Sequence, residues 1–354
     1  MHVPGVRHPH LLAETTPQSG VLLTWPHAGS DWLATLDAVT GVYLEIARVI
    51  ASRELLLCIC HDSQHQQQVA GLLHEARVDS SNIRFALAPS NDTWVRDYGP
   101  LAVMTDAGPG LLDFVFDGWG NKFAAGLDNA VTRSLHAQGC FGSVRCESQP
   151  LVLEGGSIDT DGDGTLLTTS RCLLDSGRNP GTDKASLEQL FRAQLGIDRV
   201  LWLEHGELEG DDTDGHVDML ARFCSPDTIA YTQCDDAADV NYAGLAKMEQ
   251  QLAAFRDRNG AACNLVALPQ PAAIYNPSGR RLPASYVNFL VINGAVLVPA
   301  YDDPRDTVAI ERLGRCFPGR DMVPVNCLPL IGQNGSLHCA TMQLPEGFLA
   351  RCNG

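Results

Sequence analysis

The sequence predicts one α/β domain, and three observations lead to that fold class. Short apolar runs typical of β-strands alternate with segments that carry apolar residues at three- and four-residue steps, as amphipathic helices do. No segment rich in proline, glycine or serine divides the chain as a linker would. Strand pairs followed by a helix recur about every 60–70 residues, a spacing that favours a closed circular repeat. A single domain over residues 1–354 is therefore expected.

The predicted elements are short and evenly distributed. The predicted strands cover residues 20–25, 55–60, 82–87, 101–104, 111–116, 165–169, 199–203, 227–231, 265–268, 289–292 and 295–299. The predicted helices cover residues 36–52, 65–74, 185–195, 242–257 and 306–316. Asp183 is the expected N-cap of the third helix, and Pro304 precedes the fifth. No GxGxxG follows the first strand, so a dinucleotide site has no support.

The composition restricts the class of partner. The chain has 354 residues, 45% of them hydrophobic and 19% charged, which is enough apolar material for a substantial core. Its formal net charge is -17, from 42 acidic and 25 basic residues. A surface this acidic repels nucleic acid and anionic membranes and favours the approach of small cations. Solubility alone would also account for the acidity, so this observation needs a site that binds a cation.

The cysteines and the N-terminus indicate a cytoplasmic protein. The twelve cysteines are scattered and form no CxxC pair, so buried free thiols are expected rather than a disulfide framework or a zinc site. Residues 1–18 lack the apolar run of a signal peptide, and no apolar run reaches membrane-spanning length.

Four segments concentrate polar groups beside glycine, next to a predicted strand. They are NDTWVRDYGP (91–100), LEGGSID (153–159), EGDDTDGHVDM (209–219) and NGSLHCATMQLP (334–345). Cys339 follows a glycine-containing turn and enters an apolar strand, a common position for an exposed nucleophile. His216 and Asp218 alternate, so on a strand they would share one face. Glu154 is a candidate for orienting His216.

These residue types indicate chemistry on a cation. A thiolate attacks well when a neighbouring group lowers its pKa or takes its proton, and histidine can do both. A lone cysteine is usually a core residue and a lone histidine a surface or capping residue, so the prediction depends on all four segments together. Several carboxylates would repel the oxyanion of acyl transfer. They suit a planar guanidinium, which two carboxylates bind through paired hydrogen bonds.

The sequence resembles the family of agmatine deiminases and bacterial peptidylarginine deiminases, within the guanidino-group-modifying (pentein) superfamily. The resemblance is carried by seven motifs in the family's order: TWP (24–26), NDTWVRDYGP, LEGGSID, TTSRCLLDSGRNP (168–180), DDTDGHVDM, SYVNFLVINGAVLVP (285–299) and GSLHC. It implies a five-bladed α/β propeller with pseudo-fivefold symmetry. The active site would lie on the axis, built from residues 91–100, 153–159, 209–219, 285–293 and 334–343.

The resemblance also implies the catalytic roles. Cys339 is the nucleophile, His216 the general acid–base, and Asp97 and Asp218 bind the guanidinium nitrogens. The implied reaction passes through a covalent thiouronium on the cysteine and releases ammonia and a ureido product, with no metal or other cofactor. By the same resemblance, Glu154 would either orient His216 or contribute to substrate binding.

Two more residues are expected to contact the substrate by the same resemblance. Trp94 would line the substrate channel, and Asn288 in SYVNF would make a secondary contact. A homodimer is implied by the family alone.

Agmatine is the expected substrate, giving N-carbamoylputrescine in putrescine and polyamine metabolism, because a small dication suits an acidic pocket. Free or peptidyl arginine is the alternative, and its carboxylate would need a cationic partner such as Arg96, Arg171 or Arg178. The loops PHAGSDW (26–32) and FDGWGNKF (116–123) depart from the family pattern and are expected to border the end of the substrate distant from the guanidinium.

Other interpretations remain open at this point. DDTD (211–214) together with His216 and Asp218 could hold metal ions in a guanidino hydrolase that releases urea. DTDGDG (159–164) fits the start of a calcium loop, but the twelfth position is Ser170, so a tight turn between two strands is expected. A non-catalytic propeller and an amidino transferase are the remaining alternatives.

Overall fold

The computed structural model describes residues 9–349, which form five β-sheets flanked by helices. The strands are β1 His10–Leu11, β2 Gln18–Thr24, β3 Leu55–Cys60, β4 Ile83–Leu87, β5 Leu101–Thr105, β6 Gly108–Val115, β7 Arg145–Val152, β8 Ile158–Thr160, β9 Thr165–Thr169, β10 Arg199–Leu203, β11 Ala221–Ser225, β12 Thr228–Gln233, β13 Asn264–Pro269, β14 Leu290–Ile292, β15 Ala295–Ala300, β16 Asp321–Asn326 and β17 Thr341–Pro345. The α-helices are α1 Leu36–Ala51, α2 Ser63–Glu75, α3 Val95–Tyr98, α4 Gly118–Asn121, α5 Val131–Ala137, α6 Ser170–Leu173, α7 Lys184–Leu195, α8 Tyr242–Ala254, α9 Arg305–Cys316 and α10 Leu328–Ile331.

The five sheets share one connectivity. Their strand orders are β1-β5-β6-β7, β10-β9-β8, β11-β12-β13, β14-β15-β16 and β17-β2-β3-β4. Each sheet contains one of the trios β5-β6-β7, β8-β9-β10, β11-β12-β13, β14-β15-β16 and β17-β2-β3, in which the first strand pairs antiparallel with the second and the second pairs parallel with the third. Strands β1 and β4 are additional edge strands of two sheets. A helix connects the second strand to the third in every case, namely α1, α5, α7, α8 and α9. The described chain is therefore an α/β fold made of repeated ββαβ units.

Most predicted elements are confirmed, because their apolar pattern is strong. All eleven predicted strands and all five predicted helices overlap an observed element. Asp183 caps α7 by accepting the backbone N–H of Ser186 at 2.9 Å, and Pro304 precedes α9. Strands β1, β7, β11 and β16 were not predicted, whereas β8 and β17 are the strands expected beside the turn at residues 159–164 and after Cys339. Strands β7 and β16 are outer strands of their sheets with mixed polar sequences, so their apolar alternation is weak.

The turn and the thiols follow the sequence predictions. Residues 161–164 form the tight turn between the antiparallel strands β8 and β9. Asp161 accepts the backbone N–H groups of Asp163 and Thr165 at 2.7 and 2.9 Å, which closes this turn from within. The eleven cysteines inside residues 9–349 are all free thiols. Within the same residues no helix has the length and apolar character needed to cross a bilayer.

A short turn precedes the first strand of every ββαβ unit. These turns are α3 before β5, a 3₁₀ turn at Gly155–Ser157 before β8, a 3₁₀ turn at Val217–Met219 before β11, residues 285–288 before β14 and residues 337–340 before β17. Hydrogen bonds connect neighbouring turns: Gly156 N to Asp97 Oδ1, Asn288 Nδ2 to Asp218 O, His338 N to Asn288 Oδ1, and Arg96 N to Cys339 O. The four polar segments that the sequence singled out, and residues 285–293 as the resemblance implied, are thereby brought together.

Candidate active site

A cleft of about 530 Å³, counted to include its open mouth, lies beside these turns. Cys339, His216 and Trp94 contribute to its wall. Six aspartates also line it, namely Asp31, Asp92, Asp97, Asp211, Asp212 and Asp218. Within the described part of the chain, no lysine or arginine lines this cleft. Its field therefore attracts cations, as the net charge suggested.

Cys339 lies two residues before β17 and is 8% exposed, so it is reached only from the cleft. The Asn288 Nδ2 group donates to its Sγ at 3.3 Å, and Asp218 Oδ2 lies 3.6 Å from the same sulfur. Burial raises the pKa of the thiol well above its ordinary value, and Asp218 and Asp97 raise it further. Without a bound cation, Cys339 is therefore a thiol at neutral pH.

His216 lies at the start of a 3₁₀ turn, so the prediction that His216 and Asp218 alternate on a strand was wrong. Gly215 has a φ of 87°, which turns the chain before His216 and prevents an extended segment. The His216 Nδ1 atom lies 3.6 Å from Asp97 Oδ1, and Nε2 lies 3.6 Å from Glu154 Oε2. Burial alone would lower the pKa of His216. The carboxylates outweigh it, with Asp97 foremost, and the imidazole is held as a cation.

Asp97 comes from α3 and is held in place by two donors. Its Oδ1 accepts the Gly156 N–H at 3.0 Å and its Oδ2 accepts the Trp119 Nε1–H at 2.9 Å. Burial raises the pKa of Asp97 to about 6, with Asp218 and Glu154 acting in the same direction and His216 against it. The carboxylate is thus ionised at neutral pH, and its charge is available to a substrate cation.

A glycine is required at position 156 because His216, Asp97 and Asp218 leave no space for a side chain. A Cβ atom at this position would lie 2.7 Å from His216 Nδ1, 2.8 Å from Asp97 Oδ1 and 3.1 Å from Asp218 Oδ2. Any side chain would therefore displace three of the groups that the sequence predicted to act on the substrate.

Asp218 is positioned by a residue that the predictions omitted. One nitrogen of the His338 ring lies 2.8 Å from Asp218 Oδ2, and the other lies 2.8 Å from Glu14 Oε1. Burial raises the pKa of Asp218, but the hydrogen bond from His338 is the foremost of the effects that bring it below its ordinary value. Among residues 9–349, the buried Asp218 Oδ1 atom has no hydrogen-bond partner, so it can accept from a ligand.

Glu154 lies behind His216 and outside the cleft wall. Both of its oxygens accept the Arg178 Nε–H, at 2.8 and 3.0 Å, and both side chains are fully buried. Burial alone would raise the pKa of Glu154, but His216 and Arg178 lower it, so it is ionised. This geometry places Glu154 where it can orient His216, the first of the two roles that the resemblance implied.

Trp94 and Asn288 occupy different parts of the site. Trp94 lines the cleft and packs on Trp32, with ring centroids 5.5 Å apart, and Gly335 lies against its ring. A Cβ at Gly335 would come within 2.4 Å of that ring. Asn288 is fully buried and contacts Cys339 and the Asp218 backbone.

The two loops that depart from the family pattern are divided between the ends of the cleft. Asp31 and Phe123 line its wall, and Phe123 is 46% exposed. Trp119 lines the cleft and contacts Asp97, which the resemblance implies binds the guanidinium. Trp119 has a φ of 59° between two glycines that also have positive φ, and this turn directs the indole N–H at the carboxylate.

The DDTD segment uses its carboxylates within the protein. Asp211 accepts from the Thr213 and Gly215 backbone N–H groups at 3.1 and 2.7 Å, which closes a turn. Asp214 pairs with Arg178 at 2.7 Å and with Lys122 at 2.6 Å. These groups are satisfied by the chain's own donors and do not converge with Asp218 as a metal cluster would.

Three residues of the site were missing from the predictions, although two belong to motifs that were noted. His338 adjoins Cys339 in GSLHC, and Cys172 lies in TTSRCLLDSGRNP. Arg178, in the same motif, was considered only as a partner for a substrate carboxylate, and it pairs with Glu154 instead. Cys172 Sγ lies 3.8 Å from Glu154 Oε2. Glu14 carries no local signal, because its partner His338 is 324 residues away along the chain.

Comparisons with known proteins agree with this geometry. An agmatine deiminase of Stutzerimonas stutzeri is 33% identical, over 96% of this chain and 96% of the relative. The structure of a C. jejuni agmatine deiminase variant, cysteine replaced by serine and substrate bound, is 34% identical with a TM-score of 0.89, covering 98% of this chain and 99% of that one. A Porphyromonas gingivalis structure, provisionally named an arginine deiminase, is 45% identical with a TM-score of 0.91, covering 97% and 100%.

The sequence pattern of one family extends over nearly the whole described chain. It is that of the Porphyromonas-type peptidyl-arginine deiminases, and it matches residues 10–345. This chain belongs to the Porphyromonas-type peptidyl-arginine deiminase family.

Proposed function

We propose that the protein hydrolyses agmatine to N-carbamoylputrescine and ammonia through a covalent intermediate on Cys339. The observation that carries this proposal is the cleft itself. A thiol, a cationic imidazole and two carboxylates meet there, and the lining residues within the described chain include six aspartates and no lysine or arginine. Such a wall binds a cation and disfavours an anion.

Binding of the guanidinium starts the reaction. Asp97 and the free Oδ1 of Asp218 accept hydrogen bonds from its nitrogens, which places the guanidinium carbon near Cys339. The substrate's positive charge lowers the pKa of the thiol, which burial and two carboxylates otherwise hold high. The Asn288 N–H further stabilises the resulting thiolate.

The first chemical step forms a carbon–sulfur bond and breaks a carbon–nitrogen bond. The Cys339 thiolate attacks the guanidinium carbon and gives a neutral tetrahedral species. His216 is already protonated, so it donates a proton to one terminal nitrogen, which leaves as ammonia. A cationic S-alkylthiouronium remains on Cys339, held by Asp97 and Asp218.

The second step returns the enzyme to its starting state. Neutral His216 accepts a proton from water, which attacks the same carbon. As the carbon–sulfur bond breaks, the hydroxyl proton passes to the departing sulfur, and the ureido product and the Cys339 thiol are released. Glu154 keeps the imidazole in position through both steps and is itself fixed by Arg178.

Agmatine is favoured over arginine by what lies near the cleft. The carboxylate of free or peptide-terminal arginine would need a cationic partner. Arg96 is buried against Glu14, Arg178 is committed to Glu154, and Arg171 pairs with Glu207 away from the cleft wall. The amine of agmatine would meet carboxylates instead, such as Asp92 and Asp212. Burial raises the pKa of both, and a bound cation would favour their ionised forms.

Several broader features belong to the same proposal. The five ββαβ units and the hydrogen bonds between successive turns support a five-bladed α/β propeller that acts as one domain over residues 1–354. We place the enzyme in the cytoplasm, where small amines are available. A homodimer is proposed by resemblance to the family, and sedimentation velocity measures it directly.

The test is an assay of three substrates with product identification. The purified protein is incubated with agmatine, free arginine or a short arginine peptide, with and without EDTA. Ammonia, urea and ureido product are then measured. We expect ammonia and N-carbamoylputrescine in equal amounts from agmatine, no urea, and no loss of rate with EDTA.

Two cysteine variants provide the matched control. Cys339→Ser should abolish turnover, whereas Cys234→Ser, on a loop outside the cleft, should leave it intact. Turnover of arginine or the peptide in place of agmatine would be consistent with the mechanism but would contradict agmatine as the substrate. Urea formation that EDTA abolishes and Cys339→Ser retains would overturn the mechanism.

A further inference from the structure

A second thiol lies beside the catalytic histidine, on the side away from the substrate. Cys172, in α6, has its Sγ 3.8 Å from Glu154 Oε2, and His216 Nε2 lies 3.6 Å from the same oxygen. These three ligand atoms all lie within 4.8 Å of one another. Across residues 9–349 this is the single group of three histidine, cysteine or carboxylate side chains with such spacing.

The histidine nitrogen in this group lacks a hydrogen-bond partner. His216 is 1% exposed, and its Nε2 makes no hydrogen bond within the described chain. Buried polar atoms are rarely left unpaired without a reason such as a ligand. Zinc bonds to nitrogen, oxygen and sulfur measure about 2.0–2.3 Å, so a tetrahedral ion needs its ligands about 3.4–3.6 Å apart. The two observed distances from Glu154 are within a few tenths of an ångström of that requirement.

The surrounding groups also match those of a metal centre. A histidine that binds a metal usually directs its other ring nitrogen at a carboxylate, and a ligating carboxylate is itself hydrogen-bonded. Here His216 Nδ1 faces Asp97 Oδ1 at 3.6 Å, and Glu154 accepts from Arg178.

Charge balance permits a divalent ion in this buried place. Without metal, an ionised Glu154, a neutral Cys172 thiol and a protonated His216 have no net charge. An ion that displaces one proton from Cys172 and one from His216 leaves the sum at zero, because two positive charges replace two protons. The ion therefore adds no net charge to the low-dielectric interior.

We propose that Cys172, His216 and Glu154 form a site for a thiophilic divalent cation of the Zn²⁺ type, and that this ion inhibits the enzyme. The inhibition rests on the proposed function, because an ion on Nε2 replaces one proton of the imidazolium, and the remaining Nδ1–H is then too weak an acid to protonate the leaving nitrogen. Binding of the ion is independent of that function. The ion is thus an inhibitor at this site and has no part in turnover.

Binding is tested spectroscopically with Co²⁺, so the result does not depend on activity. A cobalt–thiolate bond gives a charge-transfer band in the near ultraviolet. We expect this band in the wild-type protein and in Cys339→Ser, its displacement by Zn²⁺, and its loss in Cys172→Ser. Cys172→Ala is a second variant should the serine destabilise the fold, and thermal unfolding of each variant shows whether it is folded.

Inhibition by Zn²⁺ provides the functional arm of the test. Cys172→Ser should need about 100-fold more Zn²⁺ for half-inhibition, since even outer-shell partners of a metal contribute about 10–100-fold to affinity. Inhibition should strengthen as the pH rises, because the ion must displace protons from Cys172 and His216.

Two outcomes would overturn the site. A band lost in Cys339→Ser and kept in Cys172→Ser would show that the ion binds the nucleophile instead. Absence of any thiolate band with the wild-type protein would show that the trio binds no metal, even if agmatine is turned over. Failure of the agmatine assay alone would contradict the proposed function and leave the binding result standing.

Discussion

The contact between His338 and Asp218 predicts a pattern of activity across three substitutions. In His338→Ala, Asp218 Oδ2 loses the donor that lies 2.8 Å away. In His338→Asn, the amide can retain a donor near the Nδ1 position. In His338→Gln, the longer amide reaches the Nε2 position, and therefore Glu14, but not Asp218.

The magnitude follows from the type of hydrogen bond that is lost. A hydrogen bond to a charged group contributes about 1.5–3 kcal/mol. If Asp218 holds the substrate guanidinium, that loss corresponds to a fall in kcat/KM of about 10- to 150-fold. His338→Ala and His338→Gln should therefore be impaired by this factor, and His338→Asn should recover most of the activity.

The pH dependence separates this effect from a general structural one. Removal of His338 takes away the foremost effect that lowers the pKa of Asp218, so that carboxylate will protonate at higher pH. The acidic limb of kcat/KM should shift to higher pH in the alanine and glutamine variants. Steady-state kinetics over pH 5–9, with unfolding midpoints for all three proteins, measures both. Equal activity of the asparagine and glutamine variants, or an alanine variant within threefold of wild type, would refute the reasoning.

Three further results are expected. Gly156→Ala should lower kcat/KM by about 100-fold because the added Cβ displaces His216 and Asp97. Gly71→Ala on α2, where a Cβ meets nothing within 4 Å, should leave kcat/KM unchanged. Steady-state kinetics of both variants tests this contrast. Wild-type kcat/KM should fall by about tenfold per pH unit below pH 6, because Asp97, with a pKa of about 6, must be ionised to bind the cation; a pH profile with no limb there would contradict this assignment. Chloroacetamidine, a cation, should alkylate Cys339 much faster than neutral chloroacetamide, because its positive charge lowers the pKa of the thiol. Equal inactivation rates would show that the thiol does not need a bound cation to become reactive.

The sequence predicted those parts of the molecule that carry local signals. The spacing of apolar residues identifies amphipathic helices such as α7 and buried strands such as β3, which has the sequence LLLCIC. Strand β7, with the sequence RCESQPLV, has exposed and partly buried residues at an edge, so its pattern is too weak to identify it. Chain reversal at Gly215 was also missed, because a positive φ leaves no periodic signal in the neighbouring residues.

The same distinction between local and long-range signals applies to the residues of the site. Cys339, His216, Asp97 and Asp218 could be predicted because each belongs to a compact polar motif. The residues that hold them could not, since Glu14 reaches His338 only through folding, across 324 positions of the chain. The distances between the motifs in space depend on the turns that precede the first strand of each ββαβ unit. No local sequence pattern determines those distances.

The charges at the reacting centre link recognition to activation. Asp97, Asp218 and Glu154 contribute three negative charges when ionised, and His216 and Arg178 contribute two positive ones. One positive charge is missing, and a guanidinium supplies it. The same charge is what lowers the pKa of the Cys339 thiol, so a neutral molecule of similar shape would be bound weakly and would leave the nucleophile protonated. Because the ureido product is neutral, hydrolysis removes both its affinity and its ability to activate the thiol, and the product therefore leaves without being attacked again.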